Sequence, residues 1–248
     1  MHPDQKREIR HLPLFRHMLL ASFEALMQSA DAISCASGER LIEQGEPADY
    51  LHVVIEGAIE LYARWKDRES TMAVVGPAGS FILAACIRDA PYLMSARALE
   101  RARVLRIPAS DLRAVFRRDP EFAVSVSQEL AGAYRSVVRH AKGLKLRTSR
   151  ERIASHLLRQ SRQAGDADTY VLAVEKRLLA SYLGMTPENL SRALRSLEDD
   201  GLKLDGLRVT ITDRAKLTAL ASPDWLIDGP DPEGATGGVG LPPVASSG

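Results

Sequence analysis

The segment from residue 176 to residue 197 restricts the possible folds more than any other part of the 248-residue chain. It reads KRLLASYLGMTPENLSRALRSL, with Ala180 as a small residue where two helices can cross and Gly184 in a turn that favours positive φ. Thr186-Pro187 is a strong helix start, an N-cap followed by proline in the first turn. The pattern predicts a helix-turn-helix. Its apolar contacts are expected from Leu179, Leu183, Met185, Leu190 and Ala193.

A β-hairpin is predicted directly after this motif. Gly201 ends the second helix, and the apolar runs 202–204 and 207–211 flank Asp205-Gly206. Asp-Gly between two apolar runs is a strong signal for a two-residue hairpin turn. Helix-turn-helix and hairpin together predict a winged helix, and we assign residues 148–228 to it.

The N-terminal part is predicted to form a β-roll. From about residue 33 to 108, short apolar runs such as 51–55 and 58–62 alternate with glycines, which is typical of closely spaced strands. We assign residues 10–118 to an antiparallel roll of the double-stranded jelly-roll type. The chain is therefore expected to be an α+β protein. Residues 229–248, rich in Gly, Pro, Ser and Ala, are predicted to be a disordered tail.

A long helix over residues 119–147 is predicted between the two domains. Asp119-Pro120 is typical of a helix start, and no further proline occurs before Pro187. Apolar residues recur at alternating steps of four and three, which is a heptad seam. We predict that this seam joins two copies in a homodimer; the alternative is a helix packed only within its own chain. The seam consists of Val126, Leu130, Ala133, Val137, His140 and Leu144.

The distribution of charge and the amino-acid composition restrict the classes of function that this protein could have. The net charge is only +1, but nine basic residues lie between Arg135 and Arg162, with Glu151 as the one acid among them. Such asymmetry can present a positive face to a polyanion. The two cysteines exclude a four-cysteine zinc or iron–sulfur site within one chain. Without a signal-peptide core, a membrane-length apolar run or a catalytic motif, we expect a cytoplasmic protein that is not an enzyme.

The second helix of the motif carries the residues expected to contact nucleic acid. Its N-terminal end would enter the major groove of DNA. Arg192 can contact guanine with two hydrogen bonds, worth about 1–3 kcal/mol of discrimination. Glu188 can accept from cytosine or brace Arg192, one turn away; the alternative is an exposed ion pair on an ordinary helix. Predicted contacts around the bases are Thr186, Pro187, Glu188, Asn189, Ser191, Arg192 and Arg195, and predicted phosphate contacts are Thr148, Arg150, Lys176 and Arg177.

Two motifs resemble the CRP/FNR family over about residues 10–228. Residues 38–57, with GERLI, a glycine and LHVVIEG, look like the first half of the family's cyclic-nucleotide-binding β-roll. Residues 188–192, ENLSR, are similar to the E-x-x-S-R of FNR-type recognition helices. The resemblance implies a homodimeric transcription regulator on palindromes with TTGAT-like half-sites, with RNA polymerase as a partner; an activator is expected, but the sequence leaves activation and repression open. Pro187 departs from the pattern, because it cannot donate a hydrogen bond to an outer base. Within the family, residues 81–85, 92–97 and 144–148 are most similar to the FtrB-like group.

Differences from the family pattern within the roll restrict the ligands that it could bind. The family's cyclic-nucleotide sites place a glutamate on the ribose and an arginine on the phosphate. The corresponding segments here begin Gly79-Ser80 and Met94-Ser95-Ala96, and neither carries the required residue. Cyclic AMP is therefore not expected, since an apolar Met94 cannot neutralise a phosphate. A pocket, if the fold keeps one, would be lined by Phe81, Ile82, Leu83, Cys86, Met94 and Ser95.

The sequence leaves several possibilities open for the ligand that this roll would sense. The apolar segment 81–87 suits an apolar ligand or haem, and it equally suits an ordinary core. Haem ligands could come from His52, His140, Cys86 and Met94, and no other metal site is indicated. Thiol chemistry and a pocket that binds nothing are further alternatives. A different function class is a ligand-binding, possibly haem-binding, interaction module whose winged helix contacts protein rather than DNA.

Overall fold

A computed structural model describes residues 3–229 and residue 241. The chain forms two compact units, and the division between them falls inside one long helix, after Ser136. The helices of the first unit are α1 (Pro3–Arg10), α2 (Leu20–Ser29), α3 (Leu83–Arg88), α4 (Ala109–Arg118) and the start of α5 (Pro120–Leu146). Apart from Gly229 and Leu241, the predicted disordered tail lies outside the described residues.

Two four-stranded antiparallel sheets form the roll of the first unit. The strands are β1 (Asp31–Cys35), β2 (Arg40–Ile42), β3 (Tyr50–Glu56), β4 (Ile59–Trp65), β5 (Arg68–Val75), β6 (Ser80–Phe81), β7 (Ser95–Ala98) and β8 (Ala102–Pro108). The strand orders are β1-β8-β3-β6 and β2-β7-β4-β5. The predicted α+β fold with an N-terminal roll and a long helix is confirmed.

The core of the roll extends onto the first turns of α5. Asp119 caps this helix, because its carboxylate accepts hydrogen bonds from the backbone N–H of Phe122 at 3.1 Å and of Leu19 at 2.9 Å. The ring of Phe122 stacks on Phe15 with centroids 6.4 Å apart. The capped start therefore fixes α5 on the roll.

This packing corrects one residue of the predicted seam. Val126 is 0% exposed and belongs to the core of its own roll, and Leu130 packs partly against the same core. Val126 is therefore unavailable to a second chain. Val137 and Leu144 of the predicted seam are exposed, and further exposed apolar residues lie on a neighbouring stripe, which we call the outer stripe; it consists of Val124, Ala131, Tyr134 and Val138.

The second unit contains the end of α5 and a small helical domain with a three-stranded antiparallel sheet, order β10-β11-β9. The further elements are α6 (Ser149–Gln163), β9 (Thr169–Val171), α7 (Lys176–Tyr182), α8 (Pro187–Ser196), a 3-10 turn (Glu198–Asp200), β10 (Leu202–Asp205), β11 (Arg208–Ile211), α9 (Arg214–Ala221) and α10 (Trp225–Asp228). Its core includes the fully buried Tyr170, whose hydroxyl donates to the carbonyl of Leu157 at 2.7 Å. The predicted hairpin is present as β10 and β11.

Candidate nucleic-acid interface

The turn between α7 and α8 has the geometry that its sequence predicts. Gly184 has φ of +67°, and the N–H of Met185 donates to the carbonyl of Ala180 at 3.0 Å. The positive φ disfavours any side chain at Gly184, and a Cβ there would lie 2.8 Å from Cδ2 of Leu144, whose side-chain end would have to move aside. This tight turn brings α8 across α7.

Helix α8 starts at a capped end and buries one face. The Thr186 hydroxyl accepts from the N–H of Asn189 at 3.3 Å, and Pro187 occupies the first turn. Leu190 and Leu194 are buried, whereas the side of the helix that faces away from them is exposed, as is Pro187 in its first turn. The apolar lock at Leu194 escaped the sequence analysis, although its spacing of four from Leu190 could have indicated it. Also exposed on this side are Glu188, Asn189, Arg192 and Arg195, with Ser191 partly covered.

Arg192 is held by a different residue from the one predicted. Its guanidinium donates to the side-chain oxygen of Asn189, three residues earlier. The carboxylate of Glu188 instead faces the start of the helix, where hydrogen bonds from its own N–H and from Thr186 lower its pKa, with a smaller contribution from the charge of Arg192. The proposed Glu188 brace is therefore corrected to Asn189, because the helix N-terminus already engages the carboxylate.

Two of the four predicted phosphate contacts have partners within the protein. Thr148 forms a capping box with Glu151: its N–H donates to the Glu151 carboxylate at 2.7 Å, and its hydroxyl accepts from the Glu151 N–H at 3.4 Å. Arg150 forms an ion pair with Asp200. Lys176 and Arg177 lie in the first turn of α7, with Arg177 exposed. Thr148 and Arg150 thus have structural roles that the sequence analysis missed, although the T-x-x-E spacing of Thr148 and Glu151 could have indicated the cap.

Basic residues that the sequence analysis did not single out also surround the motif. Lys203 and Arg208 are exposed on β10 and β11 of the hairpin. Arg152 is turned inward and donates to the carbonyls of Leu183 at 3.1 Å and Arg147 at 2.7 Å. The hairpin cations could have been suggested by the wing prediction, whereas the inward direction of Arg152 depends on tertiary packing.

The residues predicted to line a pocket in the roll form part of its core. Phe81, Leu83, Cys86 and Ser95 are buried, with Ile82 and Met94 partly covered. Ring stacking joins Phe81 to His52, with centroids 5.0 Å apart, and the Ser95 hydroxyl accepts from the N–H of Gln44 at 2.9 Å. A surface cleft of about 420 Å³ lies elsewhere, between α2 and α4, next to Leu26, Asp111, Val115 and Arg118.

The polar groups near this segment do not fit a cyclic nucleotide. Arg97, the arginine nearest in sequence to Met94-Ser95, forms ion pairs with Glu60 at 2.7 Å and Glu69 at 2.6 Å. Its charge is thus already neutralised by two carboxylates. With Met94 apolar, no described side chain of the segment Met94–Ala98 offers an unpaired cation to a phosphate.

The haem-ligand candidates are divided between the two units. Burial, together with the nearby charge of Arg106, lowers the pKa of His52 to about 4. Burial raises the pKa of the Cys86 thiol to about 12. His140 belongs to the second unit, where its ring lies 4.6 Å from that of Tyr182. Within residues 3–229 and 241, no three His, Cys, Asp or Glu side chains are grouped so that they could hold a metal ion.

Among the described helices, none combines the length and the apolar character needed to cross a lipid bilayer.

Comparison with known proteins identifies both units. Residues 32–119 match the cyclic nucleotide-binding domain family, and residues 151–220 match the Crp-like helix-turn-helix domain family. A candidate cAMP-binding regulatory protein from Silicibacter pomeroyi DSS-3 is 32% identical, with 90% of this chain and 100% of that chain covered and a TM-score of 0.55. FixK2 from Bradyrhizobium japonicum is 28% identical over 79% of this chain and 98% of its own, with a TM-score of 0.67. A CRP-like cAMP-activated global transcriptional regulator from Mycobacterium tuberculosis is 24% identical over 84% of this chain and 96% of its own length. The chain therefore belongs to the CRP/FNR family of DNA-binding transcription regulators, which are not enzymes.

Proposed function

We propose that this regulator binds a palindromic promoter site as a homodimer and responds to a signal other than a cyclic nucleotide. The observation that carries the proposal is the exposed face of α8, where Asn189 holds the guanidinium of Arg192 at the start of a capped helix. An arginine fixed in this way loses less side-chain entropy when it contacts a guanine edge.

Phosphate contacts would come from several sides of the motif. Lys176 and Arg177 at the start of α7 and Lys203 and Arg208 on the hairpin supply cations. Such contacts set the register of the helix on DNA but do not read sequence. Affinity should therefore fall steeply with salt, because each neutralised phosphate releases counterions.

The outer stripe of α5 supports the homodimer. Val124, Ala131, Tyr134 and Val138 follow one another at steps of seven, three and four, which is the spacing of a coiled-coil seam. Tyr134 is 71% exposed, an unusual state for a large ring beside apolar neighbours. A second copy of α5 would cover this stripe together with Val137 and Leu144, the exposed residues of the predicted seam, whereas Val126 belongs to the core of the roll.

The departures in the roll support a signal other than a cyclic nucleotide, since Met94 is apolar and Arg97 is already paired. We do not propose haem, because His52 and Cys86 belong to the core of the first unit and His140 lies in the second. Activation would add RNA polymerase as a partner. Within the family, our proposed assignment to the FtrB-like group is based on residues 81–85, 92–97 and 144–148.

An electrophoretic mobility assay tests the proposal. The full chain is titrated onto a TTGAT-N4-ATCAA duplex and onto a duplex of the same composition with scrambled half-sites. We expect binding to the palindrome that is at least about 10³-fold tighter and that weakens with salt. Absent or salt-insensitive binding would contradict it and favour a winged helix that contacts protein.

A further inference from the structure

The last described segment of the second unit, residues 222–229, folds back against the connection between α5 and α6. We call this segment the C-terminal strap. It follows the end of the helix-turn-helix family match at residue 220 and includes the short helix α10. The strap is therefore an addition to the part of the chain that the family match covers.

An arginine between α5 and α6 holds the strap through two parallel hydrogen bonds. Arg147 donates from its two terminal nitrogens to Asp228, at 2.8 Å to Oδ1 and 2.5 Å to Oδ2. Ser155 on α6 donates to the same Oδ1 at 2.5 Å, and the carbonyl of Ser222 accepts from Arg147 at 3.3 Å. Bidentate pairing of this kind fixes direction as well as distance.

Two further arginines, one on each side of the connection between α5 and α6, donate hydrogen bonds to the backbone of the strap. Arg139 on α5 donates to the carbonyl of Gly229 at 3.1 Å. Arg162 on α6 donates to the carbonyl of Asp228 at 3.2 Å. One short segment thus contacts the end of α5, the connection and α6 at the same time. Three of the nine basic residues between Arg135 and Arg162 are engaged here, and Asp228 neutralises the charge of one of them, Arg147.

The central pair is buried. The side chain of Arg147 is 9% exposed and that of Asp228 is 4% exposed. Burial raises the pKa of Asp228, but hydrogen bonds from Arg147 and Ser155 outweigh this effect and bring it to about 2. A buried charge that loses its partner is strongly unfavourable, so the pair favours one arrangement of the helices over alternatives.

We propose that the strap is a clasp that fixes the direction in which α6 leaves α5, and that it thereby sets the half-site spacing a dimer can read. The second part rests on the function proposed above. Residues Arg147 and Asp228 are positioning residues in this scheme, because their burial keeps them from touching DNA.

The test uses the full chain with Asp228→Asn, which keeps the shape but removes the charge. Arg147→Lys keeps the charge but loses the two-pronged geometry, and it serves the same comparison if the first variant does not fold. Glu100→Gln, an exposed residue of the first unit, is the charge control. Circular dichroism establishes that each variant is folded.

Two measurements are made on each protein. Hydrogen exchange without DNA should rise about 10- to 100-fold for peptides covering residues 144–150 when the clasp is broken, while β9 to β11 stay protected. Affinity is measured for TTGAT and ATCAA half-sites separated by about 2 to 8 base pairs. Wild type should prefer one spacing, and Asp228→Asn should reduce the penalty for other spacings about tenfold.

Each result decides one part of the proposal. Unchanged exchange at residues 144–150, or exchange raised equally throughout the second unit, overturns the clasp. Raised local exchange with an unchanged spacing preference overturns its role in spacing. If wild type binds no palindrome, the proposed function fails, but the exchange measurement still decides whether the clasp exists.

Discussion

Polar side chains on helix α8 are exposed, whereas those of the roll segment 81–97 form hydrogen bonds and ion pairs within their own unit. On α8, Asn189 and Arg192 contact each other and are exposed, so both can still meet a partner. In the roll, Ser95 and Arg97 are bound to other parts of the same unit, at Gln44, Glu60 and Glu69. The polar groups of α8 are therefore accessible to an external ligand, whereas those of the roll segment are engaged by other residues of the same unit. The difference explains why a DNA-binding role is easier to infer here than the identity of a signal.

The largest effect should come from placing a charge on the closed side of α5. Val126→Glu would bury a carboxylate without a partner in the core of the roll, which costs about 4 kcal/mol or more in unfolding free energy. Chemical denaturation measures this cost. The matched variant Val138→Glu, on the outer stripe, should leave the chain folded but monomeric by light scattering. A stable Val126→Glu protein, or a dimeric Val138→Glu protein, would break the distinction between the two sides of the helix.

A second effect concerns the burial of His52 in the roll and the pH dependence of stability that it causes. Folding lowers the pKa of His52 to about 4, so the unfolded chain binds more protons between about pH 6.5 and pH 4. Stability from this group is present above pH 6.5 and falls by about 3 kcal/mol as the pH drops to 4. Urea unfolding at several pH values should show a shallower slope for His52→Gln than for wild type. Asp31 and Arg106 face the ring and are kept unchanged; the exposed His17→Gln is the control, and an equal flattening there would refute the assignment.

A third effect concerns the exposed face of α8. Arg192→Ala should weaken binding to the palindrome by about 1–3 kcal/mol, roughly 5- to 150-fold, and should hardly change binding to scrambled DNA. Arg177→Ala is the matched control, since loss of a phosphate contact should weaken both and lower the salt slope by about one. Fluorescence anisotropy with the two duplexes provides the affinities. Equal losses on both duplexes for Arg192→Ala would remove its role in reading bases.

The smallest effect separates structure from binding at Thr148. Thr148→Ala should lower the unfolding free energy by about 1 kcal/mol, because α6 loses its N-cap, and Thr148→Ser should restore it. Thermal melts followed by circular dichroism measure the change. A Thr148→Ala protein with wild-type stability but weaker DNA binding would show that the hydroxyl serves phosphate rather than the helix.

Local patterns in the sequence were sufficient where neighbouring residues decide the structure. The turn at Gly184, the cap at Thr186 and the hairpin follow from residues next to one another, although the pairing of Asp205 with Arg208 places the two-residue turn at Gly206-Leu207, one residue later than predicted. The choice between two adjacent stripes on α5 does not, because the heptad spacing is compatible with both. Val126 was assigned to the wrong one, since its burial depends on the roll around Phe122.

Pairs that are distant in sequence were also beyond reach. Arg147 and Asp228 are 81 residues apart, and nothing near either residue indicates the other. The partner of Arg192 was missed for a subtler reason: Glu188 and Asn189 are both within one helical turn of it. The choice depends on the helix N-terminus, which draws the carboxylate away. Sequence spacing gave the candidates, and competition between hydrogen bonds decided among them.

The contact between Gly184 and Leu144 couples the tightest turn of the second unit to the final helical turn of α5. Alanine at position 184 would be strained by the positive φ even if the end of the Leu144 side chain moved aside, whereas phenylalanine at 144 would press on the turn before α8. The backbone conformation thus fixes glycine at position 184, and the side chain at position 144 is the part of this junction between α5 and the helix-turn-helix that can vary.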